Sequence, residues 1–127
     1  MPPKILVVDD DRNLLKLFKY VLEKDGFAVI TAMDGESGLK LALAERPDLV
    51  MLDLKMPKLD GMEVLRKLKA DPLTAAIPVV MITASAQKAD AEWALREGAV
   101  GYIIKPFRIA ELRDCVRAAL SFEGGDW

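Results

Sequence analysis

The chain has 127 residues, 52% of them hydrophobic, with a formal net charge of −2 and no histidine. That length suits one domain around one core, and the lack of any unbroken apolar run of membrane-spanning length predicts no membrane partner. Without histidine there are no Ser-His or Cys-His nucleophile pairs, no imidazole metal ligands and no phosphohistidine on this chain, so any chemistry runs on carboxylates, lysine, hydroxyls and metal. The slightly acidic balance lacks the concentrated basic face that displaces counterions from nucleic acid, so no direct nucleic-acid partner is expected. Met1-Pro2-Pro3-Lys4 leads straight into an apolar run that ends in three aspartates. That is the wrong shape for a cleaved signal peptide, and a cytoplasmic location is expected. The single cysteine, Cys115, can form no internal disulfide and reads as a buried or half-buried thiol near the apolar side of a helix.

In chain order, short β-branched runs alternate five times with stretches of helical spacing. Strands are predicted at Lys4–Val8, Ala28–Ala32, Leu49–Asp53, Val79–Thr83 and Gly101–Lys105. The first helix carries Leu14, Leu17, Phe18, Val21 and Leu22 on one face, and the last carries Ile109, Leu112, Val116, Ala119 and Leu120. Further helices are expected near Glu36–Glu45, Met62–Ala70 and Lys88–Glu97, with Gly26 and Gly98 as stops. In the fourth helix Trp93 flanks an apolar face of Ala91, Ala94 and Leu95 and is read as flanking the core. Strict alternation implies an α/β fold: a doubly wound, five-stranded parallel sheet with right-handed crossovers, in a flavodoxin-like three-layer sandwich. Strand order 2-1-3-4-5 is the expectation, by analogy with the common order of flavodoxin-like sheets. One domain over 1–121 is expected, followed by a loosely ordered tail at 122–127 that contains Phe122 and Trp127.

Ligands of such sheets bind beyond the carboxyl ends of the strands, which makes the strand-closing residues informative. They are Asp9-Asp10, Asp53, Thr83 and Lys105. Singly, each has a plain reading: Asp9, Asp10 and Asp11 as helix caps, Asp53 as the start of a turn, Thr83 as a β-former, Lys105 as a solvated charge. Asp11 is left as a cap. Taken together, three converging carboxylates repel one another unless a cation neutralises them or one takes up a proton. Oxygen-only donors suit Mg²⁺, which typically uses one or two carboxylates, waters and a phosphate oxygen. An aspartate nucleophile attacking a phosphoryl donor would draw on the same ion, on Lys105 and on the Thr83 hydroxyl.

Over almost its whole length the sequence resembles the receiver domains of bacterial two-component response regulators. The resemblance rests on Ile5-Leu6-Val7-Val8-Asp9-Asp10, Asp53-Leu54-Lys55-Met56-Pro57 with Gly61 downstream, Val80-Met81-Ile82-Thr83-Ala84, and Gly101-Tyr102-Ile103-Ile104-Lys105-Pro106-Phe107. It implies that Asp53 accepts a phosphoryl group from a histidine kinase or histidine phosphotransfer protein. Mg²⁺ would be held by Asp10, Asp53 and the Lys55 backbone carbonyl, with Asp9 acting through water or a hydrogen bond. Thr83 and Lys105 would hold phosphoryl oxygens, Lys105-Pro106 would be cis, and Tyr102 would act with Thr83 as a switch. Lys55, Ala84 and Ser85 would tune phosphoryl lifetime. The face from the fourth helix through the fifth strand to the fifth helix would bind a downstream protein. By the same resemblance the chain is a signalling switch that catalyses only its own phosphorylation and dephosphorylation. Where DNA-binding relatives often carry an acidic pair and an arginine, this chain has Val100-Gly101 and Cys115, so a monomer or weak homodimer is expected.

Two other classes share parts of this pattern. An aspartyl-phosphate phosphatase of the haloacid dehalogenase type needs an acid two positions after its nucleophile, where this chain has Lys55. A flavodoxin-like electron carrier needs a hydroxyl-rich phosphate loop where this chain has three aspartates. A receiver fold acting without phosphorylation, as an interaction module only, is the remaining alternative.

Overall fold

The computed structural model describes residues 2–56, 59–84 and 87–121; the predicted tail at 122–127, with Phe122 and Trp127, and the predicted tuning residue Ser85 lie outside them. Ten elements alternate: β1 Lys4–Val8, α1 Arg12–Lys24, β2 Ala28–Ala32, α2 Gly35–Glu45, β3 Leu49–Asp53, α3 Gly61–Ala70, β4 Val79–Thr83, α4 Lys88–Arg96, β5 Gly101–Ile104 and α5 Ile109–Ser121. All pairings are parallel and the strand order is β2-β1-β3-β4-β5. Architecture and order are thus the expected ones. β5 is one residue shorter than predicted, which leaves Lys105 just beyond the strand.

The central strands are apolar over residues 5–8, 49–52 and 79–82 because both faces of the sheet are covered there. Alternate residues face opposite sides. Ile5, Val7, Leu49, Met51, Val80 and Ile82 pack with Phe18 and Leu22 of α1 and with Leu112 and Val116 of α5. Leu6, Val8, Val50, Leu52, Val79 and Met81 pack with Ala42 of α2, Leu65 of α3 and Ala94 of α4. A one-residue slip in any of these strands would exchange the two sets.

Aspartates start three of the helices. Asp11 accepts from the backbone N–H of Asn13 and Leu14 at 3.0 and 3.2 Å, Asp34 from Ser37 at 2.8 Å, and Asp60 from Glu63 at 3.0 Å. Each satisfies an otherwise orphaned helical donor. Gly26 and Gly98 take φ of +96° and +109°, as their predicted place at helix ends requires. Cys115 is half-buried against the core, and burial pushes its thiol pKa up. Three helix-face assignments differ from expectation, the first being Leu95, which is exposed on α4, where Ala94 is the one buried residue. Leu17 is exposed on α1, because the buried arc runs through Leu15, Phe18, Val21 and Leu22. Trp93 is 38% exposed and does not flank the core.

After α3 the chain turns back through a buried polar contact. The Thr74 hydroxyl, fully buried, donates to the Leu68 carbonyl at 2.7 Å. Thr74→Val keeps the shape but removes the donor, and it is expected to lower unfolding free energy by about 1–2 kcal/mol in urea denaturation. Among the described residues no helix is long and apolar enough to cross a membrane.

Candidate functional site

The strand register explains why the charged strand ends meet. Val8 is level with Leu52, which sets Asp9 beside Asp53 across β1 and β3. Asp53 is level with Ile82 and Thr83 with Ile104, so Thr83 and Lys105 follow one step further round the same rim. Backbone bonds carry the ladder up to that rim: Asp9 N–H to Ala32 O at 3.1 Å, Leu54 N–H to Ile82 O at 3.1 Å and Lys105 N–H to Thr83 O at 2.7 Å. Asp53 and Thr83 are therefore held in the strands and Asp9 and Lys105 by ladder bonds one residue beyond them, while Asp10 follows in the turn before α1.

Asp9 is completely buried, Asp53 is 5% exposed and Thr83 2%, whereas Asp10 faces solvent. Oxygens of Asp9, Asp10 and Asp53 all lie within 4.8 Å of one another. The Lys105 ammonium donates to Asp9 Oδ2 at 2.9 Å and stands 3.6 Å from Asp53 Oδ2. Asp9 Oδ1 accepts the Asp11 N–H at 2.8 Å, and Asp53 Oδ1 accepts the Lys55 N–H at 3.5 Å. Lys55 and Ala84 are exposed at the edge of the site, and Tyr102 is half-buried against the core on the α2–α3–α4 side. Lys105-Pro106 is cis. Of the described residues singled out in the sequence, Asp9, Asp10, Asp53 and Lys105 form one cluster. Thr83 ends β4 and Ala84 follows it at the border of the cluster, Lys55 lies two residues beyond β3, and Tyr102 lies on β5.

The electrostatics are those of a site short of positive charge. Burial and the Asp9 charge push the Asp53 pKa from 3.8 up to about 6, against the opposing pull of Lys105 and of the Lys55 N–H, with Asp10 adding a further push. Burial alone would lower the Lys105 pKa, but its hydrogen bond to Asp9 and the charges of Asp9 and Asp53 outweigh that and raise it. Among the described residues three carboxylates face one ammonium, so a second cation is the natural complement. The donors are all oxygen, one of them exposed to solvent, which fits a hard divalent ion that keeps part of its water shell.

The importance of Gly61 was not visible beyond its place in a motif. A side-chain carbon there would collide with the Asp53 carbonyl oxygen and lie 2.8 Å from the Leu54 Cα, and the Gly61 N–H donates to Leu54 O at 2.8 Å. The start of α3 is thereby pressed against the backbone that carries Asp53. The ring of Phe107, just after the Lys105-Pro106 bond, packs edge-on against Phe18 with centroids 5.4 Å apart, which anchors the segment after Lys105 to α1.

A family model described as the response regulator receiver domain matches residues 5–117. Among curated relatives, the alkaline phosphatase synthesis transcriptional regulatory protein PhoP of Bacillus subtilis is 45% identical, the match covering 94% of this chain and 49% of PhoP. The DNA-binding response regulator MtrA of Mycobacterium tuberculosis is 42% identical, over 94% of this chain and 51% of MtrA. The chain spans about half the length of the curated relatives it matches. A solved receiver domain protein (CheY-like) from Methanospirillum hungatei superposes with a TM-score of 0.91 at 30% identity, covering 98% of both chains. One from Clostridium thermocellum superposes at 0.88 with 35% identity, over 96% of this chain and 97% of that one.

These relatives overturn one expectation. Net charge predicted no direct nucleic-acid partner, yet MtrA and the similar RpaA of Synechocystis are named as DNA-binding regulators. This chain matches only about half the length of those proteins, so the charge of these 127 residues does not exclude DNA binding elsewhere in a longer protein.

Proposed function

Because the chain belongs to the response regulator receiver domain family, we propose that it is the phosphoacceptor unit of a two-component signalling system, with Asp53 as the residue that takes the phosphoryl group. The observation that carries this reading is the pairing of a buried, charge-crowded Asp53 with Lys105 at one sheet rim. An Asp53 oxygen forms a bond to the phosphorus of a phosphohistidine donor as the phosphorus–nitrogen bond breaks, and the freed imidazole regains a proton from solvent. Lys105, already bridging Asp9 and Asp53, stands where it can neutralise a phosphoryl oxygen. The buried Thr83 hydroxyl at the end of β4 would donate to another. Asp10, Asp53 and the Lys55 carbonyl, with Asp9 behind them, would hold Mg²⁺, which when bound supplies positive charge to the transferring phosphoryl group.

Occupancy of the site then favours one of two arrangements of the α4–β5–α5 face, with Thr83 and Tyr102 as the switching pair and Lys55 and Ala84 setting access to the phosphoryl group. In this reading the receiver unit is residues 1–121, a signalling switch whose only catalysis is on itself. Because the similar PhoP and RpaA are named as transcriptional regulators, the proposed output is a change in transcription. A haloacid-dehalogenase reading has no support, since exposed Lys55 stands where the leaving-group acid is needed.

Incubation with acetyl phosphate and magnesium is expected to add one phosphoryl mass to the protein, mapped to Asp53, and Asp53→Asn should abolish it. Equal uptake by the mutant in intact-mass measurement would overturn the assignment.

A further inference from the structure

Helix α4 is the most weakly seated of the five. Of its nine residues only Ala94 is buried, whereas every other helix buries at least three. Between α3, α4 and the loop that follows Asp53 lies a cavity of about 720 Å³, lined by Leu54, Met56, Met62, Arg66 and Trp93 among others. The space lets α4 shift without the overpacking that a filled interface would impose. Helix α3 has no such freedom. It buries Met62, Val64, Leu65 and Leu68, and its first residue is locked against the Asp53–Leu54 backbone.

Arg66 ties the movable helix to the fixed one. Its guanidinium carbon lies 4.8 Å from the centre of the Trp93 ring, and its Nε donates to Glu97, the residue that ends α4, at 3.3 Å. Exposed contacts of these kinds are individually weak. On a helix with a single buried residue, they add a side-chain link between α4 and α3.

We propose that the bracket from Arg66 to Trp93 and Glu97 is an inhibitory latch: it holds α4 in the arrangement seen here and is released when a phosphoryl group occupies the neighbouring site. The latch rests on the reading of Asp53 as phosphoacceptor. Its logic is linkage: a ligand that favours the released arrangement binds more tightly once the contact opposing that arrangement is removed. Helix α4 begins at Lys88, five residues after Thr83, so movement of the Thr83 strand end toward a bound phosphoryl group is transmitted to the helix start over a short span. The strength of the latch then sets how much site occupancy is needed to switch the domain.

The test uses beryllium fluoride with magnesium as a phosphoryl mimic. The chain has two tryptophans, so Trp93 emission is followed in a Trp127→Phe parent. The parent is expected to bind the mimic with a change in Trp93 emission. Arg66→Met, which keeps the aliphatic stem, should bind about fivefold more tightly and show, without ligand, emission already shifted toward the bound form of the parent. Glu92→Gln removes an ion pair internal to α4, Lys88 to Glu92 at 3.7 Å, and should leave affinity unchanged. Equal affinity for Arg66→Met and the parent, or equal tightening by Glu92→Gln, would overturn the latch. A parent that does not bind the mimic at all would instead remove the phosphoacceptor reading beneath it.

Discussion

Asp53→Asn is expected to stabilise the metal-free protein at pH 8 by up to about 3 kcal/mol, an unusual sign for a substitution at a buried site. The reason is that ionised Asp53 is held in a place that disfavours its charge, with a pKa raised from 3.8 to about 6 by burial and by Asp9. Each unit of such a shift corresponds to about 1.4 kcal/mol. A carboxyl whose folded-state pKa lies above its unfolded value binds protons more readily when folded. Its favourable contribution is complete below pH 3.8 and is lost as pH rises through about 6. Wild type should therefore lose stability relative to Asp53→Asn across that window. In urea denaturation with chelator, the gap between the two proteins should be largest at pH 8 and shrink to about 1 kcal/mol at pH 4.5. A mutant less stable than wild type at pH 8 would mean that Lys105 already satisfies the cluster.

Gly61→Ala is the second large effect. The added carbon collides with the Asp53 carbonyl oxygen, and its other near neighbours are Leu54 Cα and the Asp53 carbonyl carbon, so no flexible side chain can move aside. Either α3 lifts away from β3, breaking the 2.8 Å bond from Gly61 N–H to Leu54 O, or the Asp53 backbone is pushed out of register with Asp9. A loss of about 3 kcal/mol in unfolding free energy is expected, the upper end of what overpacking usually costs. The variant should also take up less phosphoryl group from acetyl phosphate when assayed at a temperature where circular dichroism shows it folded. Wild-type stability with full uptake would show that this packing does not position Asp53.

The fold was legible because its signals are local and repeated. Runs such as Ile5-Leu6-Val7-Val8 and Val79-Val80-Met81-Ile82 have no polar face to offer water, which together with the strict β-α alternation points to a doubly covered parallel sheet. The same logic exposed the site, since a charge at the end of such a run, as at Asp9, Asp53 and Lys105, stands out against it. What the sequence could not express was three-dimensional detail carried by distant partners. Asp9 and Asp10 are adjacent and chemically identical, yet one is fully buried on Lys105 and the other faces solvent. That difference arises from the β1–β3 register and from a lysine 96 positions away. Trp93 departs from its expected place for the same reason: its neighbour is Arg66 on another helix, and a cation–π contact leaves no trace in helical periodicity. Leu17 and Gly61 mark two further limits. The width of an apolar arc does not say where it stops, and a glycine in a motif does not say which carbonyl it makes room for.

A crowded set of carboxylates that a divalent cation would relieve lies at the centre of the proposed chemistry. The most direct measurement is a carboxyl-carbon NMR titration of Asp53 with and without magnesium. Without the ion the midpoint is expected near 6; with saturating magnesium it should fall well below that, because a neighbouring cation favours the ionised form. The same midpoint in both conditions would contradict the claim that this cluster is a cation site.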